Sequence, residues 1–241
     1  ESALRGEDRA GRLLSVSAEA GLPDPGRATV LDIGSGTGNL LAAVSGRFEH
    51  AVGVDIAMRW LHLSRRRFRD RGLPEPALVC CCAEALPFPN AYFDSAFSLG
   101  TLEFARIPEM LLEQTARVLK PGGFFFLNTV NRFSAAPEPH VNLLGVGYLP
   151  RAWQAPYVRW RRRASFEHIV LRSRGELDRL LTPNFASREI RLPLLSDGDL
   201  AGFSPARRAA AKIYRVASRL SLFKNALRWI VPEWDVVLRK A

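Results

Sequence analysis

The 241 residues carry 34 Lys and Arg against 24 Asp and Glu, a net charge of +10, and 47% of them are hydrophobic. That apolar content supports one packed domain with room for an embellishment, and it excludes a disordered chain. No uncharged apolar run reaches the roughly 18 residues of a bilayer span, so no helix is expected to cross a membrane. The first 20 residues read as an amphipathic leading helix, closed by Gly21 and the turn Leu22-Pro23-Asp24-Pro25-Gly26. The chain begins at Glu1 rather than Met, which leaves its true start, and any trimmed targeting segment, open.

From there to residue 130, short apolar runs alternate with helical patterns. A strand at 28–33 runs into a Gly-rich turn and a helix at 39–47. A strand at 51–55 precedes a helix that carries the basic run 64–71, and a third strand spans 77–82. Strand four covers 93–98, a helix 107–119 ends at Lys120-Pro121-Gly122-Gly123, and strand five is 124–130. Successive strand–helix units of this kind build a parallel sheet. Residues 131–172 hold prolines, aromatics and arginines without a clear period. Regularity returns with a helix at 173–181 and a strand at 185–194, and 234–239 reads as the last strand.

Cys80, Cys81 and Cys82 are the only cysteines, and they are adjacent. Neighbours on a strand point to opposite faces, so they form neither a disulfide framework nor a complete metal site. They read as small residues on a buried strand, and the lack of a distant partner points to a reducing cytoplasm.

The strongest signal is Val30-Leu31-Asp32-Ile33-Gly34-Ser35-Gly36-Thr37-Gly38-Asn39-Leu40. Glycines there allow a left-handed backbone and the close approach of a ligand, and the helix start offers free N–H groups. The spacing is G-x-G-x-G behind an acid, shorter than the G-x-G-x-x-G of dinucleotide binders, and suits a compact amino-acid moiety. Asp55 ends strand two in Gly53-Val54-Asp55-Ile56, where a carboxylate can accept from both hydroxyls of a ribose. Cys82-Ala83-Glu84-Ala85-Leu86-Pro87-Phe88 follows strand three, beside where the base of that nucleoside would lie.

Over about residues 28–130 these pieces resemble, in order and spacing, the class I S-adenosylmethionine (SAM)-dependent methyltransferases. The Gly-rich loop resembles their motif I, and Asp55 their ribose-binding acid. Leu86-Pro87-Phe88-Pro89-Asn90-Ala91-Tyr92-Phe93-Asp94 resembles the LPFPxxxFD stretch of the small-molecule branch, and Leu119-Lys120-Pro121-Gly122-Gly123 the turn before strand five. The resemblance implies an α/β, doubly wound, largely parallel seven-stranded Rossmann-like sheet with an antiparallel last strand. It implies SAM as cofactor, S-adenosylhomocysteine (SAH) as product, and a cofactor site of Asp32, Gly34, Ser35, Gly36, Gly38, Asp55, Ile56, Cys82, Ala83 and Leu99. One departure stands out. The family commonly has Asp where this chain has Cys82, so the contact to the adenine amino group falls to a weak hydrogen-bonding thiol.

The expected organisation is a SAM-binding core at 1–130, a first basic and aromatic insertion at 131–172 capping the substrate, and core again at 173–194. A second basic amphipathic helical insertion follows at 195–231, and a final core strand at 232–241. Residues 131–231 hold 18 Lys and Arg against 7 Asp and Glu, net +11, which leaves the rest of the chain at −1.

Strand four ends Phe97-Ser98-Leu99-Gly100-Thr101-Leu102-Glu103-Phe104, without the Asn/Asp-Pro-Pro-aromatic tetrapeptide of enzymes that methylate base amino groups, and no Pro-Cys nucleophile occurs. Nucleic acid is therefore not the expected acceptor. Asn128-Thr129-Val130-Asn131-Arg132 resembles the strand end of ubiquinone-biosynthesis O-methyltransferases, which points to an oxygen of a small organic acceptor: an isoprenoid phenol, a glycan or glycolipid, or a secondary metabolite. Pro137-Glu138-Pro139-His140 stiffens a loop that presents His140 as candidate base and Glu138 to orient it, with Glu103 as an alternative base.

Residues 203–231 carry seven Lys and Arg and no acid. At helical spacing Arg208, Lys212, Arg215 and Arg219 form one stripe, and Ile213, Val216, Leu220, Phe223, Leu227 and Ile230 another. With Trp153, Tyr157, Trp160 and Arg161-Arg162-Arg163, that pattern suits the anionic inner face of a membrane, against the alternative of a helix packed on its own domain. Two rival readings stay open: a SAM- or SAH-binding module without chemistry, and a methyltransferase of RNA or protein.

Overall fold

The computed structural model describes residues 25–181, 183–193, 200 and 205–241; the expected leading helix, the last residue of the expected strand 185–194, and residues 195–199 and 201–204 of the expected second insertion lie outside them. The parallel strands are β1 (Thr29–Ile33), β2 (His50–Asp55), β3 (Ala77–Cys80), β4 (Phe93–Leu99) and β5 (Leu119–Val130). With β6 (Ser187–Arg191) and β7 (Glu233–Arg239) they form a seven-stranded sheet in the order β3-β2-β1-β4-β5-β7-β6, and β7 runs antiparallel to both of its neighbours. The expected doubly wound α/β sheet, with its antiparallel last strand, is the fold observed.

Its helices are α1 (Asn39–Ala43), α2 (Met58–Asp70), α3 (Pro108–Val118), α4 (Arg151–Arg162), α5 (Arg174–Leu181), α6 (Pro205–Ala217) and α7 (Ser221–Ile230). The reason for two covered faces is visible along β5. Phe125 and Leu127 join Leu31, Ile33 and the α3 residues Leu111 and Leu112, whereas Phe124 and Phe126 join Val30, Phe97 and Leu40 of α1. Successive side chains of a strand face opposite ways, so an unbroken apolar run needs cover on both sides. Each such phenylalanine contributes about 1.5–3 kcal/mol by its burial. The chain changes direction across the sheet between β1 and β4, and that switch point opens a crevice at the carboxyl ends of the strands.

Three local expectations are corrected. β3 is the outermost strand and stops at Cys80, so Cys80 and Cys82 are exposed and Cys81 half-buried rather than inside the protein. α1 is only five residues long, because Gly46 in the left-handed region turns the chain toward β2. Residues 131–172 contain the regular helix α4, hidden from the sequence by Pro156 in its interior and by an inverted pattern. Its Trp153 and Trp160 face solvent (66% and 74% exposed), while Val158 is buried with Val130, Leu143, Val146, Phe166 and Leu171 in a separate small core.

Candidate functional site at the carboxyl edge of the sheet

β1 leads into a turn in which Gly34, Gly36 and Gly38 have φ of +75, +52 and +70°. A Cβ on Gly34 would meet Thr101 Oγ1 at 2.1 Å and one on Gly38 would meet Ser64 Oγ at 2.1 Å, whereas one on Gly36 would come no nearer to a neighbour than 4.0 Å, at Gly34 O. Two glycines are therefore required by the protein itself, and the middle one leaves room for a ligand against the backbone. The Gly34 and Ser35 N–H groups both donate to Val54 O at 2.9 Å, tying the turn to β2. From α2, Arg67 Nε donates to Thr37 O at 2.8 Å and braces the turn from the other side.

Asp55 stands at the tip of β2 beside this turn. Its Oδ2 accepts from Gly36 N at 3.0 Å and its Oδ1 from Ala57 N at 2.8 Å, which fixes the carboxylate and leaves each oxygen a further acceptor site. Next to it Ile56 is 69% exposed, an apolar surface at the crevice edge. Cys81 N donates to Asp55 O at 3.2 Å and Ala85 N to Cys82 O at 3.1 Å, so Cys82 and half-buried Ala83 lie in the turn adjoining Asp55 and Ile56. Asp32, on β1, is buried, and its pKa is pushed up to about 7, first by burial and then by the charge of Asp55. Ser35 Oγ is also buried, without a hydrogen-bond partner among the described residues.

On the far side of the turn, Leu99 ends β4 opposite Asn128 of β5. The chain then reverses through Gly100 (φ +66°) to Thr101, whose Oγ1 donates to Ile33 O at 3.1 Å. Phe104 follows, and its ring meets His140 edge-on, with centroids 5.2 Å apart. His140 Nδ1 lies 2.5 Å from Glu138 Oε1, and Glu138 Oε2 accepts from Val141 N at 2.9 Å. An ionised carboxylate only accepts, so Nδ1 carries the shared proton and Nε2 is left as the basic nitrogen. Burial works against charging His140, but the hydrogen bond and charge of Glu138, helped by Glu103 and Glu233, outweigh it and place the imidazole pKa above its ordinary value. Glu103 is buried: Oε1 accepts from Thr129 Oγ1 at 2.9 Å and Val130 N at 2.5 Å, Oε2 has no partner among the described residues, and burial holds its pKa above the usual carboxylate range.

The structure thus groups Asp32, Gly34, Ser35, Gly36, Gly38, Asp55, Ile56, Cys82 and Ala83 around one turn, and His140, Glu138 and Glu103 beyond β4 and β5. Thr101 and Phe104 join the two groups. Neither they nor Arg67 stood out in the sequence. For Arg67 the signal existed, because Ser64, Arg67 and Phe68 share a helix face and both Ser64 and Phe68 are buried against the turn. The residues fit a sulfonium nucleoside: an open cradle at Gly36, an acid placed for ribose hydroxyls, and an apolar surface beside it for a base.

Residues 31–127 match the family model described as a methyltransferase domain. Fold, turn and match agree on the class: this segment is a class I, SAM-dependent methyltransferase domain, and SAM is the cofactor that goes with it. Among curated relatives, the chain is 36% identical over 124 residues to the ubiquinone/menaquinone biosynthesis C-methyltransferase UbiE of Bordetella parapertussis, covering 50% of this chain and 48% of that protein. It is 30% identical over 109 residues to the ubiquinone biosynthesis O-methyltransferase of Xylella fastidiosa, covering 45% and 44%. The chain therefore matches less than half the length of either. Among solved structures, the YcgJ protein of Bacillus subtilis superposes with a TM-score of 0.61 at 20% identity over 96% of this chain and 97% of that one, a likeness of fold.

Proposed function

We propose that the chain transfers a methyl group from SAM to an oxygen of a small organic acceptor. The observation that supports this reading is the run of contacts from Ile33, just before the glycine turn, through Thr101 and Phe104 to His140. Asp55 binds the ribose, and Gly34, Ser35, Gly36, Gly38 and Asp32 hold the amino-acid part. Ile56, Cys82 and Ala83 line the base, and Leu99 closes the crevice at β4. SAM supplies a methyl group already activated on a sulfonium. The protein's task is then alignment, exclusion of water and removal of the acceptor's proton. His140 Nε2 takes that proton, Glu138 holds the ring in the productive tautomer, and Glu103, buried with one oxygen committed to β5, steadies the positive imidazolium rather than meeting the acceptor. The segments 131–172 and 195–231 act as insertions on the core, the first capping the acceptor.

The relatives' names, a C- and an O-methyltransferase of ubiquinone biosynthesis, support a hydrophobic or lipid-linked acceptor. Exposed apolar side chains favour its delivery from the inner face of a membrane. Ile213, Val216, Leu220, Phe223 and Trp229 are all about half-exposed or more, beside the exposed cations Lys212 and Arg219. Among the described residues, no helix is long and apolar enough to cross a membrane, so this contact is peripheral. The test is incubation with methyl-labelled SAM and fractionated lysate. Label in a lipid or small-molecule fraction, absent with His140→Ala, is expected. SAH binding with no transfer into any fraction leaves a binding module, and label in RNA or protein replaces the acceptor class.

A further inference from the structure

A second cleft lies between the amino end of α3 and the helices α4 and α5, with a volume of about 340 Å³; its walls include Arg151, Arg172, Arg179, Glu109 and Glu176. Arg172 is 91% buried, given its 9% exposure, yet among the described residues no carboxylate lies within ion-pair distance of it. Its Nη1 donates to Leu102 O at 3.0 Å and Val170 O at 3.2 Å, which leaves Nε and Nη2 for another acceptor. A buried guanidinium without a paired anion is costly unless a ligand supplies one. Arg151 is set by Glu176 at 2.6 Å, and Glu176 also accepts from Ser173 N at 2.7 Å. Burial opposes that carboxylate's charge, but these two donors hold its pKa down to about 2, so Glu176 acts as a permanent anchor for Arg151. Arg179 is exposed and makes no ion pair or side-chain hydrogen bond among the described residues. The cleft is also tied to the reaction crevice. The Arg172 backbone bridges Asn131 and accepts from Arg132 N at 2.9 Å, and its side chain reaches the residue before Glu103.

We propose that this cleft binds an anionic group, a carboxylate or phosphate, carried by the methyl acceptor, with Arg172 and Arg179 as its principal donors. The inference rests on the methyltransferase reading and narrows its acceptor to an acid or phosphate ester. Guanidinium forks suit both groups, and the space, at the small end of ligand sites, admits a head group rather than a whole molecule. Two carboxylates beside three guanidiniums favour a single anionic group and disfavour a polyanion.

The test titrates inorganic phosphate and, separately, acetate into the full chain, with SAH affinity measured on the same samples. Saturable binding of one equivalent of either anion is expected; which of the two seats tighter tells a phosphate ester from an acid. Arg179→Ala weakens it about tenfold, the worth of one charge-assisted hydrogen bond. Arg172→Gln does the same or more with SAH affinity retained, which shows that the variant is folded. The exposed control Arg161→Ala leaves anion affinity unchanged. Equal losses in all three variants, or no saturable binding while SAH still binds, overturn the cleft proposal alone. Failure of the wild-type chain to bind SAH overturns the reading beneath it.

Discussion

His140 is held by opposing influences, and the balance fixes how its chemistry responds to pH. Burial disfavours the imidazolium, while Glu138 favours it more strongly and lifts the pKa above the ordinary histidine value. The proposed base must be neutral to act, so turnover is expected to rise with pH through a midpoint above the ordinary histidine value of about 6.5. Glu138→Gln removes the lifting partner and moves that midpoint down; an unmoved profile would separate the pair from catalysis. His140→Ala lowers kcat by about 10²–10⁴-fold, the usual contribution of a positioned base, with SAH affinity unchanged. Asp32 behaves in the opposite sense. Its carboxyl is neutral below about pH 7 and charged above, so it binds a cationic ligand better as the pH rises. SAM affinity is expected to increase between pH 6 and 8, and Asp32→Asn to abolish the increase. Because the folded pKa lies above the unfolded one, ionisation of Asp32 costs stability progressively from about pH 4 to 7. The thermal midpoint of Asp32→Asn relative to wild type therefore climbs over that window and levels off above it.

At the level of elements, the glycine turn is built by its neighbours as much as by its own residues. Gly34→Ala places a methyl group on Thr101 in a left-handed backbone, an expected loss of about 1–3 kcal/mol in folding stability that denaturant titration will read. Arg67→Ala leaves the glycines intact but removes the brace on Thr37, so SAH affinity falls while stability changes little; a stable variant with full affinity would contradict that role. The turn, Asp55 and the strand ends were legible in the sequence because each is local, a few residues at a fixed spacing at the end of an apolar run. Thr101 was not legible, because its partner lies 68 residues away, and for Arg67 the helix face was legible but not its partner, 30 residues away. α4 escaped for another reason. Its two tryptophans face solvent, so the apolar periodicity that announces a helix is broken on the face that matters. The three cysteines misled in the same way, since an apolar run says nothing of whether its strand will be central or at the edge.

Across the whole molecule, the charge is segregated: residues 131–231 carry the positive excess and the cofactor domain is near neutral. α6 and α7 do not form one stripe. Leu227 packs toward the core, while Ile213 (71% exposed), Val216, Leu220 and Phe223 stay outside with the cations. Co-sedimentation with vesicles containing anionic lipid is expected at low salt, to weaken as salt rises, and to be lost in Ile213→Glu/Phe223→Glu; equal retention by that double variant would return the two helices to an ordinary surface role. Calorimetric titration of SAH into the full chain probes the crevice at the switch point of the sheet without an intermediate step. One equivalent should bind, with Asp55→Ala weakening the affinity at least tenfold through loss of the ribose hydrogen bonds. No binding to a folded wild-type chain, or equal binding by Asp55→Ala, would mean that this crevice is not the cofactor site.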